Sequence, residues 1–97
     1  MERDQVLSTL RRYSTDLKDL GASSLYLFGS VARNEATPDS DVDLFFDFED
    51  PGFSLIELVT LKDRICELLR ARADIMSRGS IHPRLRSSIE GSALRVF

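Results

Sequence analysis

Two aspartates, Asp41 and Asp43, stand one residue apart in the apolar run DVDLFFDF, where an unpaired charge beside a core is costly. Strand side chains alternate between two faces, so both carboxylates share one face of a predicted strand. The other face carries residues expected in the core: Val42, Leu44, Phe46 and Phe48. At a rise of about 3.3 Å per residue, the aspartate α-carbons would lie about 6.6 Å apart, close enough for a shared cation. Such oxygen ligands suit magnesium, which binds through carboxylates and substrate phosphates.

A glycine and a serine, Gly29 and Ser30, follow an apolar run that predicts a short strand upstream of the aspartate pair. A glycine turn that opens a helix offers backbone N–H groups to a phosphate, and the serine hydroxyl can donate to a phosphate oxygen. Each motif alone has a simpler explanation, a turn with a helix cap and a pair of solvent-facing strand residues. Together they predict binding of a nucleoside triphosphate with its metal.

A third carboxylate, Asp74, lies in the segment RADIM, inside the next predicted strand. Aspartate is disfavoured in the middle of a strand. One explanation is a charge that protects an edge strand from aggregation. The other is a third member of the metal site, which we favour because the same anomaly occurs in the preceding strand.

Hydrophobic periodicity predicts the elements that position these residues. In chain order we expect a helix over 3–20, a strand over 25–28, a short helix capped by Ser30, a loop over 35–40, a strand over 41–48, a helix over 53–71, a strand over 73–76, a loop over 77–80, a helix opened by Pro83, and an edge strand over 94–97. This order indicates an α+β fold, a small sheet with helices packed mainly on one face.

Five other residues receive structural interpretations. Tyr13 and Tyr26 have apolar neighbours and are predicted to be core. Cys66 lies in an apolar helical pattern and is predicted to be a buried, unreactive thiol. His82, the lone histidine, is predicted to be structural or solvated. Asp47 is predicted to belong to a solvated strand end.

Composition restricts the function further. The 97 residues predict one domain over 1–97. The net charge of −3 argues against a direct nucleic-acid partner. The late basic residues are dispersed, which favours a solvated face over an anion-binding rim: Arg70, Arg72, Arg78, Arg84, Arg86 and Arg95. No apolar run is long enough for a bilayer, and the first residues carry charges where a signal peptide is apolar, so we expect a cytoplasmic protein without membrane contact.

The string GSVARNEATPDSDVDL, with a single aspartate on a later strand, resembles the minimal nucleotidyltransferases, or MNT proteins, of the DNA polymerase β superfamily. Their pattern is G-S-x-A-R-G, a loop, then S-D-x-D-L, and the resemblance covers nearly the whole chain. Asn34 replaces the usual glycine, but asparagine tolerates left-handed backbone angles. ADIM replaces the commoner VDLV around Asp74. The resemblance implies a polymerase β-like nucleotidyltransferase fold with a small mixed sheet.

The resemblance also implies an enzyme that transfers a nucleotidyl group from ATP with the help of magnesium. Asp41 and Asp43 would hold two magnesium ions. Asp74 would share the ion that activates the acceptor hydroxyl, and it could also act as a base.

Nucleotide contacts are implied by the same match. Gly29 and Ser30 would hold the outgoing phosphates, and Ser40, the serine of S-D-x-D-L, would also contact the nucleotide. Arg33 would stabilise the negative charge of the phosphates, with a surface ion pair to Glu35 or Asp39 as the equal alternative.

MNT proteins are commonly the antitoxin partner of a HEPN-domain ribonuclease, and some are protein adenylyltransferases that add AMP units to a tyrosine of the toxin. The resemblance therefore implies a HEPN toxin as the acceptor, because a chain of this size lacks domains that would hold another. Two alternatives remain: an antitoxin that neutralises its partner by binding alone, and a transferase that modifies a small molecule.

Overall fold

A four-stranded mixed sheet and five α-helices make up the fold, and a computed structural model describes all residues 1–97. The elements are α1 (Arg3–Arg12), α2 (Ser14–Asp19), β1 (Ser24–Phe28), α3 (Gly29–Ala32), β2 (Val42–Asp47), α4 (Leu55–Leu69), β3 (Ala73–Ser77), a 3₁₀ helix (Arg78–Ser80), α5 (Pro83–Ser92) and β4 (Leu94–Arg95). The strand order is β3-β2-β1-β4. β1 is antiparallel to both β2 and β4, whereas β2 and β3 are parallel. This arrangement confirms the predicted α+β class.

The predicted first helix is two helices, because the backbone leaves helical geometry at Tyr13 (φ −103°, ψ 23°). The break turns the Tyr13 side chain outwards, where it is 37% exposed, so its prediction as a core residue is wrong. Arg64 of α4 lies over the Tyr13 ring, 5.9 Å from its centroid. Leu17 of α2 is fully buried and continues the apolar stripe past the break.

One face of the sheet holds the main core, where 18 buried residues pack together. The sheet contributes alternating apolar side chains, as the period of a strand requires: Leu25, Leu27, Val42, Leu44 and Phe46. The helices α1 and α4 contribute an apolar stripe each, which includes Val6 and Leu10 of α1 and Leu61, Ile65 and Leu69 of α4. Helices therefore cover this face, as predicted.

The opposite face of the sheet carries a smaller aromatic cluster centred on Phe45, which is only 1% exposed. The Tyr26 ring stacks on Phe45 with centroids 4.8 Å apart, and the Phe28 ring lies 5.8 Å away. The Arg78 guanidinium lies over both Tyr26 and Phe45, at 4.8 Å and 5.0 Å. Tyr26 is only partly buried in this cluster, outside the main core predicted for it.

Phe48 is 42% exposed, and its prediction as a core residue is wrong. β2 ends at Asp47, one residue earlier than predicted, so the alternation of the strand no longer directs Phe48 inwards. Its ring stacks instead on Phe53 in the following loop, with centroids 4.8 Å apart.

The longest helix, α4, spans 15 residues and begins with a capping box between Ser54 and Glu57. This box fixes the first turn and explains why the helix starts two residues later than predicted. The helix ends where Arg70 adopts the left-handed conformation (φ 51°). None of the helices combines the length and apolar character needed to cross a membrane.

Candidate active site

The acidic residues lie at the entrance to two neighbouring parallel strands. In the register of β2 and β3, Asp43 lies directly opposite Asp74. Asp41 comes two residues before Asp43, just ahead of β2, so alternation places all three on one face. Asp74 is exposed, and Asp43 is partly buried. The chain thus brings the three predicted carboxylates to the N-terminal ends of β2 and β3, on the face away from the main core; Asp41, Asp43 and Asp74 form the acidic edge of the sheet.

Gly29 packs directly against the carboxylate of Asp43. Phe28, the last residue of β1, pairs with Asp43 across the antiparallel ladder, and Gly29 then turns away with φ +76°. A Cβ atom on Gly29 would overlap the Asp43 carboxylate, approaching its Cγ to 3.1 Å and its Cβ to 3.2 Å. Both the backbone angle and the space therefore require glycine.

The surroundings of Asp43 disfavour its charged form. Burial raises the pKa of Asp43 above its usual range, and the charges of Asp74 and Asp41 raise it further. Arg33 opposes this shift. A carboxylate held against two others gains from a nearby cation, because the cation supplies the missing opposite charge.

The three carboxylates do not converge on one point in this structure. No group of three histidine, cysteine, aspartate or glutamate side chains is close enough to hold a metal ion. Asp41 instead forms an ion pair with Arg72, in which Oδ1 lies 3.2 Å from Nε. The donor set nevertheless suits magnesium, because it supplies only carboxylate oxygens and lies beside the glycine turn at Gly29.

The short helix α3 presents Ser30 and Arg33 near the acidic edge. Its N-cap position is Phe28, not the predicted Ser30, which is the second residue of the helix. No side chain caps the first turn of α3. Arg33 Nε donates to Glu35 Oε2 at 3.1 Å, which is the surface ion pair considered as its alternative role.

The loop between α3 and β2 is closed by its own hydrogen bonds. Asn34 adopts a left-handed angle (φ 61°), which explains how it replaces the glycine of the motif. The Ser40 hydroxyl accepts a hydrogen bond from the Thr37 backbone N–H at 2.9 Å, and Ser40 N–H donates to the Thr37 carbonyl at 3.0 Å. Ser40 thus fixes the turn that leads into Asp41.

Two arginine contacts, Arg72 with Asp41 and Arg78 with Asp47, were not predicted from the sequence. The pairing of Arg72 with Asp41 could have been read by aligning D-x-D with R-x-D once β2 and β3 were taken as parallel neighbours. The second contact makes Asp47 a partly buried residue rather than a solvated strand end, because Arg78 donates two hydrogen bonds to it, at 2.8 Å and 2.9 Å. Ser24 also donates to Asp47, at 2.5 Å.

Comparison with known proteins agrees with this geometry. The nucleotidyltransferase domain family matches residues 10–96. The chain belongs to this family, and it is a nucleotidyltransferase. The match confirms the resemblance that the glycine-serine and aspartate motifs indicated.

Individual nucleotidyltransferases are similar over nearly the whole chain. A Methanocaldococcus jannaschii protein, provisionally named a protein adenylyltransferase, is 36% identical over 94 residues, which cover 95% of each chain. A solved structure of a protein provisionally described as a minimal nucleotidyltransferase shares 35% identity at a TM-score of 0.84, covering 97% of this chain and 95% of that one.

A more distant likeness is found in a complex of a tri-AMPylated Shewanella oneidensis HEPN toxin with an MNT antitoxin. It has a TM-score of 0.67 and 17% identity, and covers 94% of this chain and 71% of that chain. At this identity the likeness establishes the fold alone.

Proposed function

We propose that this nucleotidyltransferase transfers AMP from ATP to a protein hydroxyl, with magnesium held by Asp41, Asp43 and Asp74. The observation that carries the proposal is the juxtaposition of Asp43 and Asp74 on neighbouring strands, with Gly29 packed against Asp43. The two carboxylates lie beside the glycine turn. In a metal-bound triphosphate, the carboxylates would bind the metal ion and the backbone N–H groups of the turn would bind the phosphates.

Each carboxylate has a distinct part in this proposal. Two magnesium ions at such a site would stabilise the attacking and leaving oxygens of an in-line displacement at the α-phosphate. Asp41 and Asp43 would hold both ions. Asp74, which like Asp41 is exposed, would hold one of the ions and accept the proton of the attacking hydroxyl.

The leaving β- and γ-phosphates of ATP would bind at the start of α3. No side chain caps the first turn of α3, so its backbone N–H groups can donate to phosphate oxygens. The Ser30 hydroxyl adds a further donor. Arg33 exchanges its Glu35 partner for phosphate charge. Ser40 remains a predicted nucleotide contact, although its hydroxyl accepts from Thr37 here.

A HEPN-type toxin is the proposed acceptor, and AMPylation of the toxin is the proposed means of neutralisation in a cytoplasmic toxin–antitoxin pair. The names of similar proteins support this: one is provisionally named a protein adenylyltransferase, and a solved structure pairs an MNT antitoxin with a tri-AMPylated HEPN toxin. The acidic chain supports a protein acceptor over nucleic acid.

The test is transfer of radiolabel from α-³²P-ATP to a purified HEPN protein in the presence of magnesium. We expect wild type to label the HEPN protein, and Asp41→Asn with Asp43→Asn to abolish labelling, because a neutral amide is a poor magnesium ligand. Asp39→Asn is the matched control, since it removes a nearby exposed carboxylate that has no assigned role.

The outcomes separate the candidate functions. Labelling by the double variant at the wild-type level would sink the catalytic proposal. Protection from the toxin without any labelling would favour neutralisation by binding alone. Label that appears only on a small molecule would identify a small-molecule transferase.

A further inference from the structure

The guanidinium of Arg72 lies beside the acidic edge of the sheet and pairs with Asp41. Val42 pairs with Ala73 in the register of β2 and β3, so Asp41 and Arg72 are neighbours one step before the paired segment. The Val42 N–H donates to the Arg72 carbonyl at 3.1 Å, which fixes the two backbones at this point. Two side-chain pairs therefore follow one another across the strands, Asp41 with Arg72 and Asp43 with Asp74.

The ion pair occupies a carboxylate that the proposed function requires for magnesium. Oδ1 of Asp41 lies 3.2 Å from Nε of Arg72. A guanidinium and a metal ion are both cations attracted to the same carboxylate, so each weakens the binding of the other at Asp41. Resting on the proposed function, we propose that Arg72 is a positioning residue: a built-in counter-cation that pairs with Asp41 until a divalent metal ion displaces it.

Exposure makes this ion pair displaceable. The Arg72 side chain is 81% exposed and that of Asp41 48%. Exposed ion pairs of this kind change an equilibrium constant by no more than about five-fold. Arg78, by contrast, is 26% exposed and grips Asp47 through two hydrogen bonds. Arg72 is thus bound loosely enough to exchange, whereas Arg78 is a fixed part of the fold.

Direct metal titration tests the inference without catalysis. Mn²⁺ serves as the probe, and electron paramagnetic resonance measures free Mn²⁺ as the full chain is titrated without nucleotide. We expect Arg72→Gln to bind Mn²⁺ about two- to five-fold more tightly than wild type, because the competitor for Asp41 is gone. Arg72→Lys retains the charge and should restore an affinity close to that of wild type.

Two further variants separate pairing from a general field effect. Arg70→Asn removes a charge two residues away while tolerating the left-handed backbone at that position (φ 51°), and it should leave Mn²⁺ affinity unchanged. In an Asp41→Asn background, Arg72→Gln should not change the Mn²⁺ affinity that is left, since the carboxylate that pairs with Arg72 is gone. In roughly 1 M salt, where the Debye length is about 3 Å, the gain from Arg72→Gln should shrink.

The failures are distinguishable. If Arg72→Gln binds Mn²⁺ no more tightly than wild type while Asp43→Asn loses Mn²⁺ binding, the role of Arg72 is refuted and the metal site stands. If Asp43→Asn binds Mn²⁺ like wild type, the metal site fails, and the inference about Arg72 falls with it.

Discussion

The position of Asp43 at the acidic edge disfavours the charged form of its own carboxylate. Asp43 is partly buried beside Asp74 and near Asp41, and both burial and these charges raise its pKa. Such an arrangement costs stability unless a cation balances it. The sequence allowed this site to be predicted, because aspartates are anomalous inside apolar strands. It did not indicate a role for Arg72, because D-x-D and R-x-D can be aligned only once β2 and β3 are known to be parallel neighbours.

Gly29 offers a residue-scale test of the site. We expect Gly29→Ala to lose transferase activity and at least about 1 kcal/mol of unfolding free energy, because alanine is strained at φ +76° and its Cβ would overlap Asp43. Urea denaturation and the radiolabel assay measure the two effects. Gly91→Ala is the control: nothing lies within 4 Å of its added Cβ, so activity should persist and stability should not fall. Equal stability losses in both variants would contradict the argument.

At the scale of elements, hydrophobic period predicted the order of helices and strands, and local backbone chemistry decided their ends. Leu17 has the helical spacing of the apolar residues of α1, so the apolar pattern gave no sign of the break at Tyr13. The start of α4 was readable in principle, since Ser54 and Glu57 have the spacing of a capping box. The parallel pairing of β2 with β3 depends on contacts between segments distant in sequence, which periodicity does not report.

The capping box gives an element-scale prediction. In this box the Glu57 carboxylate accepts a hydrogen bond from the Ser54 N–H at 2.9 Å, and the Ser54 side chain accepts one from the Glu57 N–H. We expect Ser54→Ala to lower the unfolding free energy by about 1 kcal/mol. Thr60→Ala is the control, because its exposed hydroxyl only bonds back to the Ile56 carbonyl within the helix. Chemical denaturation monitored by circular dichroism compares the two, and a larger loss in Thr60→Ala would contradict the assigned cap.

At the scale of the whole molecule, the sheet separates two environments. Helices cover the main core on one face, and the other face bears the acidic edge followed by the aromatic cluster of Phe45, Tyr26 and Phe28. Arg78 joins this second face together, since it lies over two rings and contacts Asp47 and Glu90 of α5. The apolar alternation predicted the first face. The second depends on a cation that sequence patterns treat as solvent-exposed.

The Asp47–Arg78 contact makes the stability of the molecule depend on pH in a definite direction. Hydrogen bonds from Arg78 hold the pKa of Asp47 below its usual range, and a hydrogen bond from Ser24 lowers it further. A carboxyl with a lowered folded-state pKa stabilises the fold above its unfolded value of about 3.9, and this stabilisation is lost as the pH falls through the folded pKa. Asp47→Asn should therefore destabilise the protein at pH 7 and lose less additional stability than wild type between pH 5 and about pH 2. Urea denaturation across that range measures the difference, with Asp63→Asn, an exposed carboxylate outside the ion pairs, as control. If the free energy of unfolding of Asp47→Asn depends on pH as steeply as that of wild type, Arg78 stabilises the second face through its contacts with the Tyr26 and Phe45 rings alone.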